Sequence, residues 1–182
     1  MTGTAVRPAG PGDAPAIARL HADSWRRHYR GAYADAFLDG DVVADRHAVW
    51  AARLADGAAP SATFVAEGEG AALVGFVHAV LDDDPGWGSL VDNLHVAPGR
   101  QRAGVGTALL AHAGAAITER AATPAAYLWV LEQNDRAQRF YEAQGGVRVE
   151  RAAVMPPGGD PARLNGAPVK LRMAWPGGIP GA

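Results

Sequence analysis

The chain has 182 residues, 48% of them hydrophobic and 20% charged, with a formal net charge of -2, which suits one domain over residues 1–182 with a sizeable core. There is no cysteine, which removes disulfides, thiolate metal sites and a cysteine nucleophile together, and the near-neutral balance removes the basic footprint of a general nucleic-acid binder. No apolar run reaches membrane-spanning length and the first residues lack the apolar core of a secretory signal, so a cytoplasmic protein with no membrane partner is expected.

Residues 4–9, TAVRPA, read as a short peripheral strand closed by Pro8. Asp13 is a suitable helix cap, and Ile17, Leu20, Ser24, Trp25 and His28 then recur at helical spacing up to Gly31. A second helix is expected from about Asp41, with Val43, His47, Trp50 and Leu54 on one side, stopped by Gly57 and Pro60. The period then changes: residues 63–66 and 73–81 read as strands joined by a glycine turn at 68–70, and residues 89–96 as a third strand after the loop DDDPGWG.

Next comes a glycine-punctuated basic turn, GRQRAGVG, opening a helix over about 104–120 with Val105, Leu109, His112 and Ala116 on one face. AAYLWVL is a compact buried strand, and NDRAQRFYEAQGG a short helix capped by Asn134 or Asp135 and ended by Gly145. Residues 147–155 and 168–175 read as closing strands separated by a long Pro/Gly-rich loop. The order β-α-α-β-β-β-α-β-α-β-β mixes meander and crossover, which indicates an α+β (mixed α/β) fold.

A helix N-terminus carries unsatisfied N–H groups and a partial positive charge, and a glycine-built turn lets an anion approach them closely. Arg100, Arg102 and the Thr107 hydroxyl add to that capacity. Two phosphate motifs fail here: the Walker loop requires Lys where Thr107 stands, and the dinucleotide fingerprint requires a small residue where Leu109 stands.

The segment Gln101-Arg-Ala-Gly104-Val-Gly106, preceded by LHVAP and followed by Thr107 and ALL, resembles the acyl-CoA-binding motif of the GNAT superfamily of N-acetyltransferases, Gln/Arg-x-x-Gly-x-Gly/Ala. YLWVLEQNDRAQRFYEAQGG is similar to that family's following strand and helix. The resemblance covers most of the chain. It implies a central mixed, mostly antiparallel sheet with splayed central strands, flanked by helices, and acetyl-CoA as acyl donor without a metal.

Carried over to this sequence, it implies that main-chain groups of Leu94, His95 and Val96 meet the pantetheine, while amides of Gln101, Arg102, Ala103, Gly104, Val105, Gly106 and Thr107 hold the pyrophosphate. Asn134 is implied as a further cofactor contact, and Tyr141 as the general acid for the departing thiolate. The expected reaction is transfer to a primary amine by direct attack in a ternary complex, with a small molecule or a protein amine as acceptor. A base is needed. Asp92 and His95 are the candidates; their opposite parity along the strand predicts opposite faces, so that one serves, and Asp92 is favoured. HADSWRRHYRGAYADAFLD resembles a segment that walls the acceptor pocket in one GNAT subgroup, making Trp25, Tyr29 and Tyr33 the expected acceptor contacts, with the loop 156–168 as a cover. His21 and His28 share a helical face without the carboxylate partner a metal site needs. The alternatives are a non-catalytic acyl-CoA sensor and an enzyme acting on a protein N-terminus or lysine. A homodimer is the default assembly.

Overall fold

The computed structural model describes residues 4–181. β1 (Ala5–Pro8) leads through a 3-10 turn into α1 (Ala14–His28), followed by a one-turn α2 (Asp35–Asp39) and α3 (Val42–Ala55). Then come β2 (Ser61–Glu67), β3 (Leu73–Asp84), β4 (Gly88–Val96), α4 (Val105–Arg120), β5 (Ala126–Leu131), α5 (Asp135–Ala143), β6 (Val147–Ala153) and β7 (Val169–Trp175). The seven strands form one sheet in the order β1-β2-β3-β4-β5-β7-β6, and every pairing is antiparallel except β4 with β5. The mixed, mostly antiparallel sheet flanked by helices is thus observed.

α4 and α5 bury Val105, Leu109, Leu110, Ile117 and Tyr141 with Val77, Val91, Leu128 and Met173 of the sheet. Ile17 and Trp50 of α1 and α3 pack with Val65 and Phe76. A third cluster joins Trp25, Tyr33, Leu38 and Leu131. Each such large side chain removed from water stabilises the fold by about 1.5–3 kcal/mol.

Two helix faces differ from the apolar spacing. His112 lies outside, its ring nitrogen 2.8 Å from the Ala108 carbonyl, while Leu110, Ala113 and Ile117 complete the buried face of α4. His47 is likewise exposed, because α3 packs through Val42, Arg46 and Trp50. Arg46 is buried since its guanidinium lies 4.4 Å over the Trp25 ring and bonds Asp45. A charged residue on the core face shifts the helix away from the phase its apolar residues suggest.

The sheet has one decisive irregularity. β4 and β5 pair only at Ser89↔Ala126 and Leu90↔Tyr127, and no pairing joins them further along. Just past that point, β4 pairs Val91 with Ala79 and Asn93 with His78, leaving Asp92 as an inserted bulge residue. The two strands separate from here toward the glycine turn.

Candidate active site

A cavity of about 490 Å³ occupies the gap between β4 and β5. Residues 91–96 line one side and residues 128–131 the other, with Gln101, Arg102, Gly104, Gly106 and Thr107 at the turn, and Asn134, Phe140 and Tyr141 from α5. Ser24, His28 and Tyr29 of the α1 region close it from the opposite layer.

The turn is shaped for an anion. Gly104 sits at φ +78° and Arg102 at φ +67°, left-handed conformations that swing successive amides outward. The first helical bond of α4 runs from Ala108 N to Gly104 O at 2.9 Å, so the amides of Val105, Gly106 and Thr107 at the helix N-terminus have no intrahelical partner. Gly106 serves a different need, since a Cβ there would lie 3.3 Å from Phe140 Cζ. Of the turn residues expected to act, Val105 is buried in the core and neither it nor Ala103 lines the cavity with its side chain.

Asn134 caps α5 by accepting from the Ala137 amide at 3.1 Å through Oδ1, which leaves its side-chain NH₂ for a ligand. Gln138, which no sequence motif marks, is buried and donates to the carbonyls of Leu131 (3.2 Å) and Glu132 (2.8 Å). It thereby satisfies strand-end oxygens where β5 has lost its neighbour. Gln133 ties the same corner to α1 by donating to the carbonyls of His28 and Arg30.

Tyr141 is buried to 8% exposure, and burial followed by the nearby Tyr29 pushes its phenol well up. Tyr29 is pushed up to about 12, first by burial and then by Asp92. Both line the cavity, and among the described residues neither hydroxyl has a hydrogen-bond partner. Two protonated phenols are therefore available to donate.

Asp92 is the one carboxylate among the lining residues, and Arg53 of α3 holds it at 2.9 Å while also bonding Asn93 Oδ1 at 3.0 Å. His95 lines the same cavity, with Nδ1 2.7 Å from Ser24 Oγ. The expectation that Asp92 and His95 face opposite sides is corrected: the bulge at Asp92 restores parity, and both side chains meet the α1–α3 layer. Burial pushes His95 down to about 3, with a further push from His28, so its imidazole is neutral and a weak base. His28 is lowered as well, by burial and then by Arg136.

Among the expected acceptor contacts, Tyr29 lines the cavity, whereas Trp25 and Tyr33 are core residues that do not reach it. Trp25 packs edge-on against His21 and Tyr33, and Tyr33 forms a bridge to Leu164. The loop between β6 and β7 is docked against this layer. Ala34 donates to the Arg163 carbonyl and Asn165 to that of Ala32, both at 2.9 Å, and Asn165 Nδ2 donates to Gly31 O at 3.1 Å. The Arg163 guanidinium pairs with Asp45 at 2.9 Å and covers the Phe37 ring at 4.6 Å. No group of three or more His, Cys, Asp or Glu comes together for a metal ion among the described residues, and no helix among them is long and apolar enough to cross a membrane.

Known proteins resemble this chain in sequence and in fold. Residues 14–146 match the model of the acetyltransferase (GNAT) family. An uncharacterized N-acetyltransferase of Bacillus subtilis (strain 168), YuaI, is 30% identical over 146 residues, covering 79% of this chain and 80% of the relative. Among solved structures, a GCN5-related N-acetyltransferase from Rhodopseudomonas palustris matches at TM-score 0.72 and 23% identity over 97% of both chains. PaiA N-acetyltransferase from Thermoplasma acidophilum, solved in complex with coenzyme A, matches at TM-score 0.70 and 14% identity over 95% of this chain and 99% of the other.

Proposed function

Because this chain belongs to the GNAT family of acetyltransferases, we propose that it moves the acetyl group of acetyl-CoA to a primary amine by direct attack within a ternary complex. The observation that carries this reading is the gap between β4 and β5. It exposes strand backbone to a cavity whose far end is the glycine turn and the N-terminus of α4, which suits a pantetheine arm ending in a pyrophosphate. The coenzyme A complex of the Thermoplasma protein of the same fold supports it.

In this reading the pyrophosphate lies on the amides of 101–107 and the Asn134 NH₂ contacts the cofactor arm. An alkylammonium acceptor enters beside Tyr29 and gives a proton to Asp92, whose position Arg53 fixes. The freed amine attacks the thioester carbonyl, forming a C–N bond. As the tetrahedral adduct collapses the C–S bond breaks, the Tyr141 phenol supplies a proton to the thiolate, the second proton of the former amine returns the Tyr141 phenolate to phenol, and the proton held by Asp92 leaves to solvent. The products are an N-acetyl amide and the free thiol of coenzyme A. Burial keeps Tyr141 protonated at neutral pH, which suits an acid, and such a group contributes ~10²-fold. The chain has no cysteine to carry an acyl intermediate, which supports direct transfer. The β6–β7 loop does not line the cavity but docks on residues 31–34 behind Tyr29, and a Tyr29 segment braced in this way favours a small amine in a fixed pocket over a protein side chain.

Calorimetry with acetyl-CoA, followed by thiol release over a panel of amines, tests the reading. Micromolar binding and amine-dependent release are expected. No binding at millimolar acetyl-CoA would overturn it, and binding without turnover on any amine would favour a sensor.

A further inference from the structure

Ser24 and His95 form a pair that the transfer chemistry above leaves unused. They are 71 residues apart, on α1 and β4, yet the hydroxyl oxygen lies 2.7 Å from Nδ1 and both residues line the cavity. The imidazole also packs in a three-ring cluster with His21 at 4.8 Å and Phe76 at 5.2 Å between centroids, these two lying 5.6 Å from each other. It is thus fixed by one edge and two neighbours, while Nε2 has no protein partner among the described residues.

Two hydrogen placements fit this contact. A neutral imidazole has one N–H. If Nδ1 donates to Ser24, the hydroxyl hydrogen is left for a ligand and Nε2 is an acceptor. If Ser24 donates, the imidazole hydrogen resides on Nε2, which is then the donor. The adjacent His21 follows the second pattern: the Trp50 indole, which can only donate, bonds His21 Nδ1 at 2.9 Å and so places the His21 hydrogen on Nε2.

We propose that His95, held by Ser24 with its hydrogen on Nε2, is a hydrogen-bond donor that selects amines bearing a carbonyl or hydroxyl oxygen close to the amino group. The assignment rests on the acetyl-transfer reading. It places an amine at Asp92 and an oxygen at His95, two side chains that leave β4 on one face because of the bulge between their pairings. The cofactor arm, by contrast, addresses the main chain of that strand. A site built to donate to an oxygen rejects an analogue without one, since the N–H is then left unpaired. At neutral pH this imidazole does not carry the charge that would make it a partner for anions in general, since burial holds it neutral.

The hydrogen position is read directly by ¹⁵N–¹H correlation spectra of the histidine rings in the full-length protein, without any acceptor. We expect His95 as the Nε2–H form, with the Nδ1–H form gaining population in Ser24→Ala; a wild-type Nδ1–H form would overturn the proposal. Selectivity is read by thiol release with glycinamide against propylamine. A preference for glycinamide of about 10-fold or more in kcat/KM is expected. In His95→Gln, whose amide N–H replaces Nε2–H, most of that ratio survives with lower turnover, whereas in His95→Leu it falls to about one. Equal use of the two amines by the wild type, or loss of the ratio in His95→Gln as in His95→Leu, would overturn it. Calorimetry with acetyl-CoA on the same proteins separates the two readings: a wild type that fails to bind the cofactor sinks acetyl transfer and leaves the tautomer result to stand by itself.

Discussion

Asp92 of β4 and Arg53 of α3 form a 2.9 Å ion pair at the residue where β4 steps out of register with β3. The bulge turns the carboxylate toward the α1–α3 layer, and the guanidinium, also bonded to Asn93, sets its orientation. Asp92→Asn keeps the shape and removes the base. We expect kcat/KM to fall by about 10²–10⁴-fold at neutral pH, while acetyl-CoA affinity by calorimetry changes by about twofold or less. Turnover within a few-fold of wild type would show that Asp92 does not take the proton.

The phenol of Tyr141 is raised by burial and by Tyr29, so it stays protonated throughout the neutral range. Tyr141→Phe is expected to lower kcat by ~10²-fold without a matching rise in KM for acetyl-CoA. Steady-state kinetics by thiol release check this, and an unchanged kcat would remove Tyr141 from the acid role.

Asp45 joins the core to the β6–β7 loop through Arg46 and Arg163. Burial pushes its carboxyl up, but the hydrogen bonds and charges of the two arginines outweigh this and hold it below its ordinary value. Asp45→Ala frees Arg163, loosening the loop docked on residues 31–34 behind Tyr29, at a distance from the glycine turn. The acceptor KM should rise by about 10-fold while the Kd for acetyl-CoA is preserved, a split that substrate-titration kinetics and calorimetry together resolve.

The buried histidines make acid the weak side of this fold. His78, bonded to Thr63 at 2.7 Å, is lowered to about 4 by burial and then by Arg53; His95 is lowered to about 3 and His21 well below its usual value. Between these values and 6.5 the unfolded chain binds more protons than the folded one, so stability is full above pH 6.5 and drains as pH falls toward 4. For His78 the displacement corresponds to on the order of 3 kcal/mol. Thermal unfolding at pH 7 and pH 4.5 should show a clear drop in Tm, reduced in His78→Gln; an equal drop in that variant would assign the acid lability elsewhere.

Much of this was legible from residue spacing. The glycine turn, the strand before it and the Asn134–Tyr141 helix fall where the motifs put them, because each is specified by local chemistry: small residues, a cap, an amphipathic period. What escaped was relational. The five-residue α2 is too short to show a period. The bulge at Asp92 exists only in the register with β3, so alternation along one strand separates Asp92 from His95 where the folded sheet unites them. Trp25, Tyr29 and Tyr33 look alike as aromatics near a helix end. Yet Arg46 and the docked loop draw Trp25 and Tyr33 into the core and leave Tyr29 facing the cavity. Ser24 and Gln138 lie inside the quoted segments with no role marked there, and only the partners they meet in the fold disclose them.

The two register pairs that join β4 to β5 make the sheet a page torn almost to its edge. A guest that hydrogen-bonds both margins would act as an eighth strand supplied from outside, and the sheet would be continuous only while that guest is bound. Slowed amide exchange on both margins, residues 91–96 and 128–131, would accompany cofactor binding, and the mechanical strength of the fold would become a function of how much acetyl-CoA is present.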